Sequence, residues 1–88
     1  MTEESEEAAL RRARQASDLM EDETLQRAFG AIESHYIEAW RSSSPTQSEL
    51  RDQAYMQLFA LQQLRRQLQT FLETGKILSA AQDQNQTS

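Results

Sequence analysis

Few residues in this chain have side chains that could do chemistry. His35 stands between Glu33 and Glu38, and a histidine flanked by carboxylates is the seed of either a metal site or an acid–base pair. On a helix, however, those offsets do not put all three side chains on one face. No second histidine and no cysteine exists to complete a ligand set. His35 therefore reads as a helix-flank residue. Nucleophilic chemistry needs a hydroxyl beside a base that a third group orients, yet the serines cluster in "SSSP", residues 42–45, where turn formation and helix capping account for them. There is no glycine-rich phosphate loop. No catalytic, cofactor-binding or metal-binding residue is expected, and the chain reads as non-enzymatic.

The 88 residues make one small domain with a thin core. Absence of cysteine removes disulfides and thiolate metal sites, so cohesion must come from packing. Two glycines and one proline are too few for a set of strand turns. An all-α fold follows. Charge is uneven: residues 1–23 hold eight acids and three arginines, whereas 24–76 hold five acids and six bases. With a net charge of −5 and no basic face, nucleic acid is not an expected partner. No apolar run is long enough for a membrane span. The stretch "MTEESEEAAL" is acidic where a signal peptide is basic and then apolar. Export from the cell that makes it is not expected.

Helix signals divide the chain into three segments. Residues 1–22 form an acidic, alanine-rich segment predicted to be helical from about Glu4 to Met20, with a weak stripe of Ala9, Leu10, Ala13, Ala16 and Leu19. The next stripe is Leu25, Phe29, Ile32, Tyr36 and Ala39 or Trp40; traced backwards it runs into acids, so a break belongs near 20–23 with Asp22 as N-cap. This predicts a helix over 23–41. Ser44 and Pro45 start a third helix between 44 and 47, through a Ser44/Gln47 or a Thr46/Glu49 capping box. It is predicted to end near Thr74, with Gly75 as a left-handed C-cap and Ile77 and Leu78 folded back on its last turn. Residues 78–88 are expected to be a disordered polar tail. The short loop makes 23–77 an antiparallel helical hairpin, with the N-terminal helix additional to it.

The third helix has more apolar surface than one neighbour hides. Leu50, Ala54, Leu61, Leu64, Leu68 and Leu72 form the stripe predicted to face the hairpin, while Tyr55 and Phe59 lie nearly opposite and Met56 fills a flank. Leu68, Phe71 and Leu72 fall on an overhang beyond the second helix, to be covered by the N-terminal helix or by another subunit. Tyr55, Met56, Phe59, Leu68, Phe71, Leu72 and the loop-end Trp40 are the candidate interface residues. Tyr55 and Phe59 have an alternative place under the first helix, and Trp40 with Tyr36 has one closing the open end of the hairpin. Arg65 and Arg66 could clasp the acidic first helix.

Residues 25–77 also carry Ala28, Phe29, Ile32, Glu33, Tyr36, Ala39 and Trp40, then Pro45, then Gly75, Lys76 and Ile77. This pattern resembles a group of small uncharacterised helical-hairpin proteins encoded in the structural and packaging gene clusters of tailed bacteriophages and prophages. The resemblance implies a virion or assembly component, located in the virion or the host bacterial cytoplasm, multicopy or homo-oligomeric, that docks on a larger oligomeric phage protein such as a portal, capsid or tail component, on itself, or on both. Two other readings stay open: a phage-encoded inhibitor or modulator of a host protein, and a DNA-packaging accessory factor.

Overall fold

The computed structural model describes residues 5–86 as three helices: α1 (Glu6–Glu21), α2 (Glu23–Ser42) and α3 (Ser48–Gln86). No strand occurs among the described residues. The first four residues of the expected acidic segment lie outside this range. The first two helices start where the chain offers a side-chain acceptor. The Ser5 hydroxyl accepts from the Ala8 N–H at 3.2 Å, and Glu6 and Glu7 fill the first turn, where the helix dipole favours acids. Asp22 is the N-cap of α2 as its spacing predicts: it is extended (φ −68°, ψ 119°), and its carboxylate accepts from the Leu25 N–H at 2.7 Å.

The connection between α2 and α3 differs from expectation by a few residues. Gln47 N–H donates to the Ser44 carbonyl at 3.0 Å, closing a β-turn with Pro45 at its second position. The Gln47 side-chain oxygen accepts from the Ser44 N–H at 2.8 Å. Only the reciprocal half of the predicted Ser44/Gln47 box therefore forms. The Gln47 carbonyl then accepts the first α3 bond, from Arg51 N–H at 3.1 Å, so the helix starts at Ser48 instead of between 44 and 47.

The predicted end of α3 also moves. The helix passes through Gly75 without a positive φ and continues to Gln86, so Gly75 is not a C-cap. Gly75 is needed for a close approach instead: a Cβ placed on it would overlap the Cβ of Ala13 on α1. Ile77 does not fold back; it is helical and 70% exposed. Residues 78–86, expected as part of a disordered tail, are helical. Ala80, Ala81, Gln82 and Gln84 are strong helix formers and no proline or further glycine stops them. Residues 87 and 88 of that tail lie outside the described range.

The chain divides into two compact units, one made of α1 with α3 from Arg66 onward, the other running from Asp22 to Arg65. In the second unit α2 and the start of α3 form the helical hairpin around Phe29, Ala54 and Leu61. In the first, the buried residues are Ala13, Ala16 and Gly75. The buried side of α3 follows a strict alternation of three and four residues: Arg51, Ala54, Leu58, Leu61 and Arg65 in one unit, Leu68, Leu72 and Gly75 in the other. That is a heptad seam. Leu50 and Leu64, assigned to this side by a 3.6-residue count, are 40% and 50% exposed. Heptad positions drift from the 3.6 count by about 20° per seven residues, and two of the seam positions belong to arginine.

The two glycines give opposite expectations. Gly30→Ala meets nothing within 4 Å and should raise stability by about 0.5–1 kcal/mol through helix propensity. Gly75→Ala should lower it by about 1–2 kcal/mol, because overpacking against Ala13 exceeds the same propensity gain. Urea unfolding followed by circular dichroism measures both.

Candidate interaction surface

With the Arg51–Arg65 part of the α3 seam turned toward α2, the residues on the other side of the same turns stay largely exposed. Tyr55, Met56 and Phe59 are 66%, 67% and 52% exposed. Tyr55 and Phe59 are one turn apart and their rings stack, with centroids 6.4 Å apart and an interplanar angle of 23°. Three large apolar side chains thus form one contiguous patch. The alternative of Tyr55 and Phe59 packed under the alanine-rich helix does not match their exposure.

The other candidate residues sit differently. Leu68, Phe71 and Leu72 are half-buried in the unit that contains α1. The Arg12 guanidinium lies 5.6 Å from the Phe71 ring centroid, and Leu72 shares a shallow hollow with Leu10 and Ala13. Of the two covers open to the overhang, the N-terminal helix is therefore present in the chain itself. Trp40 is 46% exposed at the loop end of the hairpin, and Arg51 stacks its guanidinium 4.6 Å from the Trp40 ring centroid while donating to the Ser43 hydroxyl at 3.4 Å. Tyr36 is half-buried and meets His35 edge-on, with centroids 5.0 Å apart.

Arg65 binds within the hairpin, not to the acidic first helix. Its guanidinium donates to Glu33 at 2.7 Å and lies 5.2 Å from the Phe29 ring centroid. Both partners of this ion pair are more than one-third exposed, so the charge term alone is worth under about 1 kcal/mol. The stacked stem adds apolar cover. Glu33 is thus committed to Arg65, and Glu38 accepts from Ser42 at 3.1 Å. His35 has neither carboxylate as a coligand. Among the described residues no group of three metal-ligating side chains occurs, and no helix is long and apolar enough to cross a membrane.

Sequence reasoning misses several members of the exposed apolar set. Leu19, Ile32, Leu50 and Leu64, all placed in apolar stripes, are 46%, 44%, 40% and 50% exposed, and Ile37 is exposed as well. Ile32 and Tyr36 line a second shallow hollow with Gln57 on the flank of the hairpin. A 3.5-residue count of the α3 seam would have found Leu64.

Exposure separates patch from core in a measurable way. Phe29→Ala, at a site 5% exposed, should cost about 3–5 kcal/mol. Phe59→Ser should change the stability of the dilute protein by no more than about 0.5 kcal/mol. Denaturant midpoints at low protein concentration check the contrast. No family model, curated protein or solved structure matches this chain.

Proposed function

We propose that this protein is a non-enzymatic virion or assembly component of a tailed bacteriophage that acts through helix-mediated association, in several copies, with itself or with a larger oligomeric phage protein. One observation carries the association reading: Tyr55, Met56 and Phe59 stand together at the surface of a rigid helix. Tyrosine and methionine are enriched where proteins meet. The phage assignment rests on the resemblance across residues 25–77.

Magnitudes favour a multicopy role. Fully burying a large apolar side chain is worth about 1.5–3 kcal/mol. These three are already partly covered, so the patch offers about 3–5 kcal/mol. Association itself costs at least about 4 kcal/mol. One patch binds weakly, and repeated patches on an oligomeric partner gain avidity without new contacts.

Phe59→Glu tests the reading. The variant should keep its helix content and stability while losing both association, measured by light scattering, and incorporation into purified virions. A variant that associates and incorporates like the parent sinks the proposal. The net charge of −5 favours the host-inhibitor reading as runner-up; it predicts capture of one host protein from lysate and absence from virions.

A further inference from the structure

We infer that the occupant of the Tyr55–Met56–Phe59 face is the same face of a second copy, with α3 antiparallel to α3, Phe59 on the two-fold axis, and Asp52 of each copy beside Arg66 of the other. The inference rests on the proposal that this face is an association surface, and it names the partner.

The argument is the pattern of residue types along one helix face. Asp52, Met56, Phe59, Gln63 and Arg66 follow each other at spacings of four, three, four and three, which keeps them on one side of α3 as a second heptad seam. Tyr55 and Gln62 flank it. In an antiparallel pairing centred on Phe59, a residue a given number of places before the centre faces the residue the same number of places after it. Seven places before is Asp52; seven places after is Arg66. The two-fold axis makes both charge pairs at once, as an isologous contact requires. Phe59 then faces its own copy, Met56 faces Gln62 and Tyr55 faces Gln63, so the thioether and the phenol meet a flexible amide instead of a charge. Parallel pairing in register would set Asp52 on Asp52 and Arg66 on Arg66, which like-charge repulsion disfavours.

Asp52 and Arg66 are both exposed, and neither is in an ion pair among the described residues. The layout is an apolar centre with a charged rim, the usual anatomy of a protein interface. Its area is small. Three apolar side chains per copy fall short of the roughly 1,200 Å² of a standard interface, so the pairing is weak and salt-sensitive.

Charge exchange tests it. Asp52→Arg and Arg66→Asp are surface changes whose folding circular dichroism verifies. Each variant alone puts two like-charged pairs in the dimer and should self-associate at least about tenfold more weakly than the parent by sedimentation equilibrium. Mixing the two restores both opposite-charge pairs and should recover the parent affinity to within about threefold, as should the double variant Asp52→Arg/Arg66→Asp. Equal association by the single variants, or no recovery on mixing, overturns this geometry even where the parent dimerises. A parent monomeric up to about 1 mM, near the weakest readily measured affinity, overturns self-pairing. If Phe59→Glu is nevertheless lost from virions, the association reading survives with a different partner. If Phe59→Glu alters neither self-association nor incorporation, that reading fails as well.

Discussion

A seam that alternates by three and four residues obliges α3 to hold Arg51 and Arg65 at positions where a larger core would hold leucine, and those two side chains organise the hairpin. Each lays its stem along the interface and its guanidinium against an aromatic ring of α2: Arg51 on Trp40, Arg65 on Phe29. The planar, weakly hydrated head suits this, where a lysine ammonium would have to stay hydrated. The hairpin thereby gains apolar cover from charged residues, which a short chain with little core to spare needs. The cost is exposure elsewhere: with arginines on the inside, Leu64 and Leu50 are left at the margin.

The unit containing α1 meets the same requirement by the opposite route. The residues it buries fully are all small, so its helices approach until alanine meets glycine. Close approach replaces interdigitation: many small van der Waals contacts between backbones stand in for a few large side chains. It works only while Gly75 has no Cβ. A glycine that would otherwise weaken the middle of a helix is thus the condition for α1 having a place to pack.

The parts of this fold that are legible in the sequence are those set by local chemistry. Asp22 is readable because a carboxylate that interrupts an apolar stripe has one common use at a helix start. The break between α2 and α3 is readable because Pro45 restricts its neighbour, although the helix expected to start between 44 and 47 starts at Ser48. What escapes reading is set by the partner helix. Gly75 has two ordinary roles, cap and close contact, and only Ala13 across from it decides between them. Arg65 beside Arg66 looks like a pair of surface charges until the heptad count turns one of them inward. The exposure of Tyr55, Met56 and Phe59 is readable because they lie off the count that faces α2, whereas the covered fate of Leu68, Phe71 and Leu72 depends on where α1 lies.

The difference in core materials has a consequence for how the protein opens. The residues fully buried in the hairpin unit include Phe29 and Leu61, whereas those fully buried in the α1 unit are alanines and a glycine, with its larger apolar side chains only half-covered. Local opening free energy follows the apolar surface that opening exposes. The amides of α1 are therefore expected to exchange with solvent through a smaller fluctuation than those around Phe29, which would give one continuous helix, α3, a long-lived end and a short-lived one.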